Sequence, residues 1–355
     1  MDAILRARGE SWPALTLEAL ARASHWMFSM IDPVSGATPN LGANDGALIF
    51  PLTSCSVADF RPTVQAAARA FLRTGLPSGV WDEYSLWLGL QATGRTADSD
   101  AYMAEHLRGR NSWAYLRASS FKSRLSHMDQ LHFDLWWRGL NVARDAGTYL
   151  YNAEPPWDNP LVSTFVHNTV TIDGRDQMTR GGRFLILDWF PSYSKNLLEG
   201  DEQILGRVTA HHKGYRRLGI LHERVATVFT DEHWQVMDNL VFIKPGTHSF
   251  RLHWLLPDWE WKIENGEQRV GMKLKSPHGW VTLTLQTRPL FSNLYSLISV
   301  VRAGEMVHGQ RDVLPFEGWF SPGYGQKVPA LSLDVEVVSS KSFSFVSEFT
   351  FPHKS

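Results

Sequence analysis

The chain holds one cysteine, Cys55, among 355 residues. No internal disulfide can form, and a lone cysteine says little about compartment. Long hydrophobic runs are also missing. No stretch reaches the roughly 20 apolar residues that span a bilayer, so no membrane insertion is expected. The opening Met1-Asp2-Ala3-Ile4-Leu5-Arg6 lacks the apolar core of a signal peptide. Charge of one sign does not dominate: 35 Lys and Arg face 36 Asp and Glu, a formal net charge of -1, and no long basic run occurs. Nucleic acid is therefore a poor partner, although a neutral total can still hide a basic cleft for an acidic polysaccharide. Internal repeats and low-complexity tracts are absent as well.

What the chain has in excess is aromatic. Fifteen tryptophans and 12% aromatic residues accompany 43% hydrophobic and 20% charged residues. This composition fits a large packed β core. Composition favours that reading over a carbohydrate cleft, where flat rings meet sugar faces.

The period of the hydrophobic pattern changes once. Leu17, Leu20, Ala21, Ser24, Met27 and Phe28 recur at helical spacing, with Pro33 and Gly36 as stops. A second helix is expected after Asp59-Phe60-Arg61-Pro62 and ends before Gly75, and a third covers 83–90. From Trp113 the period is two. Strands are expected at 113–121, 130–137, 140–145, 165–172, 183–190, 218–229, 234–243, 248–256, 269–275, 279–286, 294–301 and 331–349. Strand runs without helices between them point to antiparallel sheets stacked as a sandwich. The fold class read here is α+β: a helical domain at 1–110 and a large antiparallel β-sandwich at 111–355, with the boundary at Gly109-Arg110-Asn111.

The strand from Gln130 separates two faces. Leu131, Phe133, Leu135 and Trp137 are read as core. Gln130, His132, Asp134 and Trp136 form the other face, which lines a groove or joins a covered polar network. Three islands surround this strand: His127 in Ser126-His127-Met128-Asp129, Asp145 in Arg144-Asp145-Ala146-Gly147-Thr148, and His167 in Val166-His167-Asn168-Thr169. Two imidazoles and a carboxylate suit a borderline-soft divalent metal, zinc first.

These islands carry a resemblance. His127-Met128-Asp129-Gln130-Leu131-His132-Phe133, then Asp145-Ala146-Gly147-Thr148-Tyr149, then His167-Asn168-Thr169-Val170 resembles the heparinase II/III superfamily of polysaccharide lyases. Residues 39–47 upstream, and His212-Lys213-Gly214-Tyr215 with His222-Glu223-Arg224 downstream, extend the likeness. It implies an (α/α) toroid followed by a β-sandwich. It also implies a mainly structural zinc held by His127, Asp145 and His167, and β-elimination on a uronic-acid-containing polysaccharide of heparin, heparan or alginate type. A cell-envelope or periplasmic setting follows if a leader precedes Met1, and a cytoplasmic one otherwise.

Elimination needs a base for the proton beside the uronate carboxylate, a group that neutralises that carboxylate, and a proton for the leaving oxygen. The resemblance assigns these to an Asn or His from the toroid, a Tyr and a His. The sequence departs from that pattern. It has no Asn-His dipeptide, Tyr84 and Tyr102 stand in no matching motif, and Leu125 occupies the position where many relatives carry a catalytic His. The remaining candidates for proton transfer are Tyr149, Tyr151, His132 and His212. Those for substrate binding are Gln130, Asp134, Trp136, Arg124, Arg138, Trp157, Gln177 and Arg180. Trp157 is read as a sugar platform or a turn anchor, and the loop bearing Gln177 and Arg180 as a cleft wall or a hairpin connection. An active lyase, a non-catalytic carbohydrate-binding chain and a metal-dependent hydrolase are the three readings carried forward.

Overall fold

The structure, a computed structural model, describes residues 1–44, 46–47, 50–92, 106–121, 125–197, 202–266, 269–289 and 297–352. It divides into two compact units. Residues 1–39 and 46–103 form the first, and residues 40–45 and 104–355 the second.

The first unit holds the described helices Asp2–Ala7, Ala14–Met30, Arg61–Phe71 and Asp82–Trp87. The stripe on Ala14–Met30 is buried at Ser24 and Phe28, while Leu17 is exposed. That helix ends where Asp32 Oδ1 accepts the backbone N–H groups of Val34 and Ser35. Pro62 sits in the first turn of Arg61–Phe71, where its missing N–H costs nothing. Phe28, Ile31, Val64 and Ala68 close a small core.

Among the described residues the second unit is built of strands with three short 3₁₀ turns, and every named pair of strands is antiparallel. An eight-stranded sheet runs in the order Trp261–Asn265, Val270–Ser276, Gly279–Arg288, Phe343–Thr350, Trp234–Phe242, Ile220–Phe229, Ile204–His212, Ser192–Asn196. A six-stranded sheet runs Glu305–His308, Ile298–Arg302, Gln326–Ser339, His248–Pro257, Val170–Ile172, with Trp319–Gly323 paired beside Gln326–Ser339. A four-stranded sheet, His106–Arg108, Ser112–Leu116, Phe133–Trp137, Leu140–Ala143, contributes to the same core. Phe133, Trp137, Trp234, Phe250, Trp254, Phe345 and Phe349 are fully buried there. Each such side chain stabilises the fold by about 1.5–3 kcal/mol. The tryptophan excess is thus in part core, as the bland reading of composition expected. The expected core face Leu131, Phe133, Leu135 and Trp137 is buried throughout.

Three expectations are corrected. Gly109-Arg110-Asn111 is a hairpin turn between His106–Arg108 and Ser112–Leu116, not a linker, so the second unit starts earlier than residue 111. The run 331–349 is two strands, Gln326–Ser339 and Phe343–Thr350. The run 165–172 is a strand only at Val170–Ile172, because a 3₁₀ turn at Thr164–Val166 precedes His167. Strands Ser192–Asn196, Ile204–His212, Trp261–Asn265, Glu305–His308 and Trp319–Gly323 were not expected. Several alternate weakly and bury only part of one face.

Candidate metal centre and adjoining cleft

Three irregular segments bring the islands together, each anchored to regular structure. His127 lies on the approach to Phe133–Trp137, where Met128 N–H donates to the Val162 carbonyl at 2.9 Å. Asp145 follows Leu140–Ala143, and its Oδ1 accepts the Gly147 N–H at 2.8 Å. That bond fixes the carboxylate and turns Oδ2 inward. His167 caps the 3₁₀ turn, and its carbonyl meets His253 Nδ1 at 2.9 Å.

The result is a buried cluster. Asp145 Oδ2 is 3.0 Å from His167 Nδ1 and 3.9 Å from His127 Nδ1. The ligand atoms of the three residues lie within 4.8 Å of one another. His127 Nδ1, both ring nitrogens of His167 and Asp145 Oδ2 are buried without a hydrogen-bond partner. Leaving such atoms unsatisfied costs about 1–3 kcal/mol each. A single cation among them would satisfy all three side chains, so the residues fit a metal. Burial pushes the Asp145 carboxyl up, but His167 and His127 together hold it well below the usual carboxylate range.

His132 stands beside this cluster without joining it. Its Nε2 is 3.5 Å from Asp134 Oδ2 and 3.9 Å from Asp145 Oδ2. Its Nδ1, however, accepts the backbone N–H of Asn168 at 3.0 Å. A neutral imidazole that accepts at Nδ1 carries its proton at Nε2, which leaves no lone pair for a metal. His132 therefore turns an N–H toward the two carboxylates without bonding either.

Asn168 is the joint of the centre. Its Nδ2 donates to the carbonyls of Phe133 and Arg144, and its Oδ1 accepts the Leu255 N–H at 2.7 Å. A second brace comes from the eight-stranded sheet. Arg224 Nη1 donates to the carbonyls of Leu131 and Asn168, and its other nitrogens grip Asp238 at 2.7 and 2.8 Å. His222 Nε2 also meets Asp238 at 2.7 Å, and His222 Nδ1 meets His212 Nε2 at 3.2 Å. His212 Nδ1 accepts the Gly214 N–H, so the protons of the chain are assigned: His212 to His222 to Asp238. All four side chains are buried. Arg224 stands in the His222-Glu223-Arg224 stretch of the resemblance, but nothing local announces its role as a brace. The proximity of Asn168 to His167 was the only clue to its role.

The remaining candidates divide by burial. His212 is sealed and hydrogen-bonded at both nitrogens, and burial holds its pKa well below the histidine range. His212 thus sits inside the buried network, and His132 sits beside the cluster. Gln130 and Gln177 are buried and bond each other, Gln130 N–H to Gln177 Oε1 at 2.9 Å and Gln177 Nε2 to the Gln130 carbonyl at 2.8 Å. Asp134 accepts from Asn141 at 2.5 Å and burial raises its pKa. Trp136 stacks on Trp113 with ring centroids 5.5 Å apart. The Gln130 face is thus a covered polar network and not a groove wall. Arg138 forms the turn to Leu140–Ala143 with Gly139, both at positive φ, and its guanidinium lies over Trp137. That turn is at the opposite end of Phe133–Trp137 from His132. Arg180 bonds the Asp158 carbonyl. Arg124 and Tyr102 lie outside the described residues.

Tyr149, Tyr151 and Trp157 stay half-buried. Tyr149 meets Trp157 edge to face at 4.9 Å, and Tyr151 meets Tyr324 and Phe184 at 4.8 and 5.1 Å. A small pocket of about 20 Å³ lies beside Phe184, the ring neighbour of Tyr151, and is lined by Leu125, His127, Asn159, Arg183, Phe184 and Ile186. Its wall includes one residue of the cluster, His127. Leu125 is buried in that wall.

A family model described as heparinase II/III-like, C-terminal, matches residues 101–347, which contain all three islands. The chain belongs to the heparinase II/III-like family. No curated protein sequence matches this heparinase II/III-like chain. Among solved structures it is similar to heparinase III, the BT4657 gene product, at 15% identity and TM-score 0.65, over 95% of this chain and 46% of that one. It is similar to heparan sulfate lyase HepC from Pedobacter heparinus at 17% identity and TM-score 0.58, over 92% and 46%. A further heparinase III structure is similar at 15% identity and TM-score 0.60, over 95% and 49%. The heparinase II/III-like chain thus spans about half the length of these relatives. At such identities the likeness shows the fold.

Proposed function

We propose that the chain is a polysaccharide lyase-type protein for a uronate-containing acidic polysaccharide, with zinc bound by His127, Asp145 and His167. The observation that carries the reading is the buried His/Asp/His cluster, with His127 Nδ1, both His167 ring nitrogens and Asp145 Oδ2 unpaired, inside a heparinase II/III-like domain. Two ligands about 2.0–2.1 Å from a tetrahedral zinc stand roughly 3.3 Å apart. The 3.0 and 3.9 Å separations bracket that value. Bound there, zinc supplies structure, tying three loops together beside the pocket.

In β-elimination the C5–H bond breaks, a C4–C5 double bond forms, and the C4–O bond breaks. A base takes the C5 proton and the leaving oxygen receives one. Of the proposed groups, Tyr149 and Tyr151 keep access to solvent, and Arg183 at the pocket can face a carboxylate. Leu125 transfers no proton. That favours a second reading, a carbohydrate-binding chain without turnover.

The test combines an ultraviolet assay for unsaturated uronate with calorimetry, using heparan sulfate, heparosan and alginate. Unsaturated product supports the lyase. Binding without product supports the binding protein. Neither binding nor product with any polymer sinks both.

A further inference from the structure

A half-buried ammonium in the second unit has three aromatic neighbours and no acid. Lys327 Nζ lies 3.5 Å from the ring centroid of Trp157, 4.0 Å from Trp319 and 5.1 Å from Tyr149. Among the described residues no carboxylate lies within ion-pair distance of it. Arg117, Arg224, Arg251 and Arg311 differ, since each faces an acidic side chain. Cation–π contacts offset part of the lost hydration, but a ring face accepts no full hydrogen bond.

The cage is built to hold its shape. Trp319 Nε1 donates to the Pro315 carbonyl at 3.1 Å, which fixes the indole. Tyr149 N–H donates to Ser321 Oγ at 2.8 Å, and Gly325 N–H to the Tyr149 carbonyl at 2.9 Å. Trp319 pairs with Pro329, two residues beyond Lys327, so ring and ammonium are diagonal neighbours on one face. An ammonium ordered in advance loses little side-chain freedom when an anion arrives. Burial also lowers the Lys327 pKa, and no acidic neighbour opposes it.

The cage connects with the pocket. Phe184 lines the pocket and meets Tyr151, Tyr151 meets Tyr324, and Gly325 next to Tyr324 holds Tyr149. A run of rings thus leads from the wall containing His127 to Lys327. A chain-like ligand lying across this surface would follow the same run of rings.

We propose that Lys327, caged by Trp157, Trp319 and Tyr149, is an outlying subsite for one anionic group of an acidic saccharide. The ammonium receives the carboxylate or sulfate, and the ring edges pack against the sugar. This rests on the saccharide reading above and adds where, and through which group, a neighbouring sugar unit is held.

The test is calorimetry on the full chain with three hexasaccharides: one sulfated and derived from heparan sulfate, one carrying carboxylates only, and one neutral. Lys327→Met should weaken the acidic ligands about tenfold and leave the melting temperature unchanged. Lys327→Arg should recover most of the loss. A loss confined to the sulfated ligand identifies sulfate, and a loss with both acidic ligands identifies carboxylate. In the unsubstituted chain, saturating acidic saccharide should slow acetylation of Lys327 at least fivefold, read by mass spectrometry, whether or not the variants fold. Equal affinities in parent and Lys327→Met, or unprotected Lys327, overturn the subsite while saccharide binding stands. Lys327-dependent binding without unsaturated product overturns the lyase and leaves the subsite intact. No binding of either acidic ligand overturns the subsite.

Discussion

Arg224 Nη1 donates to the carbonyl of Leu131 at 2.7 Å, joining the eight-stranded sheet to the loop before His132 across 93 positions of sequence. The same nitrogen bonds the carbonyl of Asn168, next to the cluster residue His167. One buried guanidinium therefore fixes the backbone on two sides of the centre, with Asp238 balancing its charge. Arg224→Leu strands that carboxylate and two carbonyls. A loss of about 3–5 kcal/mol is expected in urea denaturation, together with reduced metal content. A loss below about 1 kcal/mol would show that the brace is dispensable.

The tautomer of His132 makes a sharper prediction about the ligand set. Elemental analysis of the purified chain should give about one zinc per molecule. His167→Ala should remove it and lower the melting temperature, because bound metal adds to folding free energy. His132→Asn should keep near-full occupancy with affinity reduced about tenfold, as for residues that orient ligands. If His132→Asn loses zinc as completely as His167→Ala, the proton assignment is wrong.

Buried ionisable groups set the pH response. Arg224 and His222 overcome the upward push of burial and hold the Asp238 carboxyl at about 2, against 3.8 for the free group. Its contribution, roughly 2–3 kcal/mol, is present above pH 3.8 and is lost as pH falls through about 2. Burial lowers His106 to about 4 and lowers His212, His222 and His253 as well. These are neutral when folded, so the unfolded chain takes up more protons below 6.5, and stability drains as pH falls from there. His167 pulls the other way, because Asp145 raises it despite burial. Burial also raises Asp134 and Asp176, which act with His167. The four lowered histidines outnumber these three groups, so the urea midpoint should fall between about pH 7.5 and 5, and fall again below about 4. A midpoint that is level or rising between about 7.5 and 5 would contradict this balance.

Gly147 tests the loop that carries Asp145. Its φ is +82°, and an added Cβ would sit 2.3 Å from the Ser321 carbonyl oxygen. That neighbour is backbone, which cannot swing aside as a flexible side chain could. Gly147→Ala should cost at least about 2 kcal/mol in urea denaturation and reduce zinc content, because Asp145 Oδ1 is aimed by the Gly147 N–H. A variant with parental stability and zinc content would mean that the turn adapts.

The His/Asp/His triad and the core were legible because local rules carry them. Leu131, Phe133, Leu135 and Trp137 alternate on a strand and all are buried. His127, Asp145 and His167 sit in three recognisable islands, and they converge. The other strand face was open to two readings. Gln, His, Asp and Trp suit a groove or a covered network equally well, and only packing distinguishes them. Gln130 and Gln177 are 47 positions apart, and no local pattern announces that the Gln177 amide bonds the Gln130 backbone.

By itself the sequence determined the period change from helix to strand, the antiparallel β class, the three islands and the family. Those follow from neighbours a few residues apart and from ordered motifs. Tertiary structure alone decided which histidine can accept a metal, since the tautomer of His132 depends on a backbone N–H 36 residues away. It alone sealed His212 in a network and caged Lys327 between rings distant in sequence. Proton placement and desolvation arise from what surrounds a group in space, and chain order does not encode that locally.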